Sequence, residues 1–182
     1  MPDNIVFIGS VPIRISKEGA FVTTPHDHQK VHLGDLFTFD HYGTVASGGT
    51  LNYLITPNAT LNLHSSFAIT VSGAARIYLY ENPAGSAGTA IPLYNLNRDS
   101  TNTISATVKH TPTISDAGTI SIVNGRYIAA GAGVPNRIGG ELREDIEIIL
   151  DAGKTYLYRY ENISGAAGTI SFYGVVYEEE SG

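Results

Sequence analysis

A short motif occurs twice in this chain, and the repeat limits the possible folds more than any other feature. Tyr-Glu-Asn stands at residues 80–82 and again at residues 160–162, each time after a strand-like run rich in tyrosine. Glycines follow each copy at the same spacing: Gly85 and Gly88, then Gly165 and Gly168. Glycine readily adopts the positive φ that tight reversals require. The repeat therefore predicts two strands that end in glycine turns, with Gly88 and Gly168 in equivalent backbone conformations.

Apolar and polar side chains alternate in three segments, residues 66–71, 103–108 and 145–150. This two-residue period is typical of β-strands with one buried face. No segment has the apolar period of an amphipathic helix, so we expect no helix longer than about two turns. Asn124 and Gly125 lie between two apolar runs and predict a hairpin turn. Together the patterns predict an all-β fold, an antiparallel β-sandwich or jelly-roll-like domain with an extended N-terminal arm.

The chain divides into three parts. Residues 1–34 are rich in apolar side chains but interrupted by proline and glycine, which predicts an arm or short edge strands. We expect residues 35–177 to form the sandwich domain and residues 178–182 to be a solvated acidic tail. The arm has too many apolar side chains to leave in water, so we expect it to bind a neighbouring subunit or a shell, with packing on its own sandwich as the alternative. Its interface candidates are Ile5, Phe7, Ile8, Val11, Ile13 and Phe21.

Charge and composition exclude several classes of partner. The 182 residues carry a formal net charge of −6 with scattered basic residues, so we expect no nucleic-acid partner. No apolar stretch reaches the roughly 18 residues that span a bilayer, so we expect no membrane partner. The absence of cysteine excludes disulfides and thiolate metal sites. The first residues lack the features of a secretory signal. A weakly charged β protein of this kind suggests a virion protein that is released by lysis.

Three histidines are the best candidates for metal chemistry. Alternate residues of a strand point to one face, so His26 and His28 on a strand could reach one ion. This spacing resembles the first half of a cupin metal box, but His32 stands where the box has a glutamate, and the second box is absent. We therefore predict no metal site, no cofactor and no enzymatic activity. A cupin-like metalloenzyme is the third functional hypothesis.

Two strand-like runs carry five tyrosines. An apolar ring with a polar tip suits sugar stacking or a protein interface. Packing between neighbouring strands of a half-buried sheet explains the same residues, and we favour it. The residues are Tyr78, Tyr80, Tyr156, Tyr158 and Tyr160.

Several segments together resemble capsid decoration proteins of tailed bacteriophages, also called cement or head-stabilising proteins. The segments are residues 79–83, 88–91, 94–103, 109–113 and 148–157. The resemblance spans residues 36–177, and its most specific part is the Asn-x-Asn-Arg-x-Ser-x-x-Thr stretch that contains Arg98. It implies a β-sandwich that binds the outside of an icosahedral shell as an oligomer. It implies no catalytic residues.

The polar segment around Arg98 has a physical explanation of its own. Its Asn, Asp, Ser and Thr side chains can bond nearby backbone groups, so the segment can hold a fixed shape without a helix or strand. Arg98 would then face a carboxylate of a partner, or else tie the segment to its own domain.

The first functional hypothesis is therefore a homotrimeric decoration protein on the outer capsid surface of a virion. It would be made in the host cytoplasm and would bind the major capsid protein and its own copies. The second hypothesis is a carbohydrate- or receptor-binding module of a phage particle, with glycans as partners.

Overall fold

A computed structural model describes residues 4–8, 11–15, 21–22, 26–121, 123–128, 136–138 and 147–180. A single helix, α1, spans His26–Leu33 in this part of the chain. The strands are β1 Asn4–Ile8, β2 Val11–Ile15, β3 Phe21–Val22, β4 Phe37–Val45, β5 Thr50–Thr56, β6 Leu61–Val71, β7 Ala75–Glu81, β8 Ala84–Ser86, β9 Thr89–Ile91, β10 Tyr94–Asn95, β11 Thr107–His110, β12 Thr113–Asp116, β13 Thr119–Ile120, β14 Arg126–Ile128, β15 Asn136–Ile138, β16 Ile148–Leu150, β17 Tyr156–Asn162 and β18 Gly168–Glu180.

Two antiparallel sheets form the sandwich. Sheet I has the strand order β10-β4-β18-β6, and β15 and β16 pair with the two ends of β6. Sheet II has the order β7-β17-β5-β11-β9, and β13 and β14 pair along the outer edge of β7. A separate two-stranded ribbon joins β8 to β12. The predicted all-β antiparallel sandwich is confirmed, whereas its jelly-roll topology remains a prediction.

An aromatic core holds the two sheets together. Along β6 every second side chain faces inward, as the two-residue period predicted. Phe172 of β18 is fully buried, and its ring lies 4.5 Å from Tyr53 of β5 and 4.9 Å from Tyr158 of β17, measured between ring centroids. These contacts cross from sheet I to sheet II. Burying a large side chain contributes about 1.5–3 kcal/mol, so this cluster is a main source of the sandwich's stability.

The two Tyr-Glu-Asn copies end neighbouring strands of sheet II, but their glycines are not equivalent. Gly88 has φ +89°, in the left-handed region that was predicted for both copies. Gly168 is the first residue of β18 and does not have a positive φ, so the prediction for it was wrong. Gly165 has no positive φ either. Gly85 lies inside β8 rather than in a turn, and a Cβ there would stand 2.6 Å from the side chain of Ile114.

The predicted hairpin at Asn124 and Gly125 is also wrong. β13 and β14 both run antiparallel to β7, so they run in the same direction as each other and cannot form a hairpin. The chain advances six residues between Ile120 and Arg126 while β7 advances three, so the Asn-Gly pair lies in a segment with three extra residues between β13 and β14. Gly125 has φ +67°, and a Cβ there would lie 3.1 Å from the ring of Tyr78. Glycine is needed because the backbone turns tightly over that ring.

The N-terminal strands pair with one another. β1, β2 and β3 form a three-stranded antiparallel sheet, in which Ile8 stands opposite Val11. Short strands were expected here. The three strands form a meander, which differs from the single extended arm that was also predicted. The side chains of the interface candidates lie outside what the structure describes: Ile5, Phe7, Ile8, Val11, Ile13 and Phe21. Their predicted partner therefore stays a prediction.

The boundaries of the sandwich domain differ from the predicted ones at both ends. β18 continues to Glu180, so residues 178–180 belong to the sandwich and not to a solvated tail. The Glu178 carboxylate accepts hydrogen bonds from the backbone N–H groups of Ala106 at 2.8 Å and Ser105 at 3.1 Å. At the other end, Lys30 of α1 donates to Glu179 at 3.3 Å and lies over the ring of Tyr177. Helix α1 is thereby attached to the sandwich, although residues 26–33 were assigned to the arm.

Candidate interaction surfaces

Helix α1 ends on a glycine cap. Gly34 has φ +74°, its N–H donates to the Val31 carbonyl, and the Asp35 N–H donates to the Lys30 carbonyl, both at 3.0 Å. These two bonds make a Schellman motif. A Cβ at Gly34 would overlap the side chain of Ser100. Sequence reasoning missed this residue, although a glycine directly after a polar run that ends in Leu33 is the usual signal of a helix end.

Residues 95–103, called the Asn loop below, complete this helix end. Three asparagine amides donate to carbonyls that a helix terminus leaves without partners: Asn95 to Gly34 at 2.7 Å, Asn97 to His32 at 3.3 Å and Asn102 to Leu33 at 3.2 Å. These carbonyls would otherwise need water or another donor. The Asn loop therefore fixes the end of α1 from outside the helix.

The Asn loop is ordered by its own short-range bonds, as the sequence predicted. The N–H of Asn97 donates to the side chain of Asn95 at 2.8 Å, and the N–H of Asp99 donates to the side chain of Asn97 at 3.1 Å. Each bond spans two residues, which is the Asx pattern. Arg98 lies between them and is exposed. It forms no ion pair with any residue that the structure describes.

The predicted histidine arrangement is wrong because the segment is helical. Residues two apart on a helix lie on different faces, so the strand argument that placed His26 and His28 at one ion does not apply. His28 and His32 are four residues apart and do meet, with 2.9 Å between their Nε2 atoms. Among the described residues no group of three or more His, Asp or Glu side chains could hold a metal ion.

The outer face of sheet I carries exposed tyrosines on a surface of small side chains. Tyr42 of β4 is 67% exposed and Tyr173 of β18 is 42% exposed. Tyr42 pairs with Ser171, and Tyr173 pairs with Asp40 on one side and Ala68 on the other, so the two rings are diagonal neighbours. The same face carries two more exposed apolar side chains, Tyr94 and Ile149.

The sequence alone did not lead us to this surface, although the two-residue period of β18 indicates it. Ile170 and Phe172 face the core, so Tyr173 must face outward with Ser171. A large aromatic side chain on the polar face of an alternating strand has no core to fill. Such a residue is a candidate for a contact with a partner.

The five tyrosines singled out in the sequence divide between the core and sheet II. Tyr156, Tyr158 and Tyr160 are buried, so strand packing explains them. Tyr78 and Tyr80 stack on the outer face of sheet II with 5.8 Å between ring centroids. The guanidinium of Arg159 lies 5.3 Å from the Tyr80 centroid, and its Nε donates to Asn52 at 3.0 Å. The Tyr78 hydroxyl donates to Glu161 at 3.3 Å. The polar tip of Tyr78 is thus bonded within the chain.

A half-buried histidine lies at the side of the sandwich. The Nδ1 of His41 is 3.0 Å from the hydroxyl of buried Tyr53, and its ring stacks on His110 with centroids 4.1 Å apart. Burial lowers the pKa of His41 below its usual value, the neighbouring His110 lowers it further, and Asp40 raises it in part. Burial also raises the pKa of Tyr53. The native cluster therefore favours neutral His41 and an un-ionised tyrosine.

The His41 cluster predicts a loss of stability in mild acid. In the unfolded chain His41 takes up a proton near pH 6.5, whereas in the folded chain its lowered pKa delays protonation. The unfolded state therefore binds more protons, and stability falls as the pH drops from about 6.5 through the folded-state pKa. Urea unfolding at pH 7.5 and pH 5.5 measures this fall. We expect a smaller fall in His41→Gln, and an identical fall in both proteins would contradict the assignment.

No known protein family, curated protein or solved structure matches this chain. Within the described residues, no helix is long and apolar enough to cross a membrane.

Proposed function

We propose that this protein is a structural, non-catalytic component of a virus particle, a decoration protein that binds the outer surface of a phage capsid as a homotrimer. The observation that carries the proposal is the outer face of sheet I. Tyr42 and Tyr173 expose large rings among Ser, Thr and Ala side chains, with Asp40 as the charged member beside them. Tyrosine anchors in a weakly charged surface are typical of the centres of protein interfaces.

Arg98 gives the proposal a second contact. The Asn loop holds its backbone in place while its side chain remains exposed. A guanidinium presented on an ordered loop binds a carboxylate with little further loss of conformational freedom. In this proposal the sheet face supplies most of the buried area, and Arg98 supplies orientation on the major capsid protein.

A decoration protein stabilises a shell because it binds the assembled state and not the separated subunits. The test uses capsids of the phage that encodes the protein, prepared without it. Purified protein should sediment with these capsids at a fixed ratio to the major capsid protein, and sedimentation velocity of the free protein should give a trimer. Failure of the wild-type protein to sediment with the capsids would overturn the proposal.

The double variant Tyr42→Ser/Tyr173→Ser tests which face binds. We expect at least about tenfold weaker capsid binding, because losing two interface anchors costs well over the 1.4 kcal/mol that corresponds to a factor of ten. Tyr127→Ser is the matched control, since Tyr127 is 60% exposed but stands opposite Arg76 on the outer face of sheet II. Equal losses in both variants would show that the sheet I face is not the binding surface.

The second candidate is a glycan-binding module. It is favoured by one observation on the same face, because exposed Tyr173 stands directly opposite Asp40. A sugar ring can stack on tyrosine while its hydroxyls donate to a nearby carboxylate. Screening the protein against immobilised glycans separates the two functions. Glycan binding that is lost in Asp40→Asn, together with no affinity for capsids, would favour this second candidate.

A further inference from the structure

Two exposed histidines form a close pair on helix α1. His28 and His32 are one turn apart, their Nε2 atoms are separated by 2.9 Å, and their rings stand edge to face with centroids 4.5 Å apart. Residues four apart on a helix share one face. In this hydrogen-bonded pair one Nε2 carries the proton and the other accepts it. If both rings instead carry their protons on Nδ1, both Nε2 atoms are free to bind one metal ion.

The separation of the two nitrogens is short enough for one metal ion to contact both. Two nitrogens bonded to one metal at about 2.05 Å lie about 2.9 Å apart at adjacent corners of a square-planar or octahedral ion, and about 3.3 Å apart on a tetrahedral ion. The two Nε2 atoms are 2.9 Å apart in the hydrogen-bonded pair, so a small movement of the rings reaches either geometry. Imidazole is a good ligand for nickel and copper. We propose that His28 and His32 are a bidentate chelate for divalent nickel or copper.

The surrounding contacts hold the chelate in place. The Schellman bonds at Gly34 and the Asn loop fix the end of the helix, and Asn97 donates directly to the carbonyl of His32. The partial negative charge at a helix C-terminus favours a bound cation. Lys30 of the same helix bonds Glu179 of β18, so its charge is held at the sandwich. Two ligands leave other coordination positions for water or a partner's side chain.

This site differs from the cupin arrangement and from the sequence expectation of no metal. It uses a helical spacing of four instead of a strand spacing of two, and it needs no third ligand from this chain. It does not depend on the proposed decoration function, because its two ligands are neither on the outer face of sheet I nor part of the Arg98 contact.

Isothermal titration of the intact protein with nickel chloride at pH 7.5, in a buffer that does not bind metals, tests the proposal. We expect one equivalent of nickel to bind, and magnesium chloride to give no binding because imidazole is a poor ligand for that hard ion. His28→Gln and His32→Gln should each weaken nickel binding at least about tenfold, since even the loss of an outer contact to a metal ligand costs 10- to 100-fold. Both side chains are exposed, and thermal melts will verify that the variants stay folded.

His26→Gln is the matched control on the same helix. It removes one histidine but leaves the pair intact, so its nickel affinity should equal that of the wild-type protein. The proposal is overturned if the wild-type protein binds no nickel. It is also overturned if His26→Gln weakens binding as much as His28→Gln does, because the ligands would then not be the pair.

Discussion

Asn162→Ala should lower the free energy of unfolding by about 3 kcal/mol or more, the largest effect that we expect from a single polar substitution. Asn162 is fully buried at the end of β17. Its Nδ2 lies within 3.1 Å of three carbonyls, those of Val45, Ala46 and Ala166. Its Oδ1 accepts from the backbone N–H and the hydroxyl of Ser164 at 3.0 and 2.7 Å.

The loss of stability arises because alanine leaves the hydrogen-bond partners of Asn162 unsatisfied. Each buried polar group without a hydrogen bond costs about 1–3 kcal/mol, and removing one member of a buried network affects all the others. Asn162 bonds both the loop after β4 and the loop before β18, so alanine removes the link between two connections that join sheet I to sheet II. Equilibrium unfolding in urea at neutral pH measures the change.

Asn82→Ala is the matched control, because Asn82 is the third residue of the other Tyr-Glu-Asn copy. Asn82 is exposed and has φ +52°. Its replacement should cost no more than about 1–2 kcal/mol, the strain of an alanine in the left-handed region. If Asn162→Ala costs no more than Asn82→Ala, the buried network does not stabilise the fold as we infer.

Gly174→Ala should destabilise the sandwich by about 2–3 kcal/mol through overpacking. Gly174 lies at an inward position of β18, and a Cβ there would stand 2.6 Å from Cζ of Phe39 and 3.1 Å from Cδ1 of Phe67. Both rings are buried in the core and cannot move aside without displacing other side chains. Thermal and urea unfolding should both show the loss.

Gly165→Ala is the control for this second prediction. No atom lies within 4 Å of a Cβ at Gly165, and its φ is not positive. We expect a change within about 0.5 kcal/mol, with a small gain possible because alanine restricts the unfolded chain more than glycine does. A neutral Gly174→Ala would mean that the two phenylalanines have room to shift.

The two copies of the repeat show a limit of prediction from sequence. Both Tyr-Glu-Asn copies end strands, as their pattern predicted. However, β7 buries Ile77 and Leu79, which directs Tyr80 outward, whereas β17 buries Tyr158 and Tyr160. The tyrosine of the motif therefore points to opposite faces of one sheet in the two copies. In one copy the motif is shifted by one residue relative to the inward–outward alternation of its strand.

The candidate surfaces were predictable to different extents. The local bonds of the Asn loop follow from its residue types, since they join residues two apart. Its role at the end of α1 does not, because Asn95 and Gly34 are 61 residues apart in the chain. The pairing of His28 with His32 depended on the segment being a helix, and the sequence alternation suggested a strand there.

The sequence alone determined the all-β class, the strand with a two-residue period at residues 66–71 and the self-bonding of the polar loop, because each of these depends on residues within a few positions of one another. In the second alternating segment only residues 107–108 belong to a strand, β11. Only the tertiary structure decided which glycines take a positive φ, which tyrosines reach the surface and which asparagine is buried. Those outcomes depend on the register of strands distant in sequence, where a shift of one residue exchanges the buried face for the exposed one.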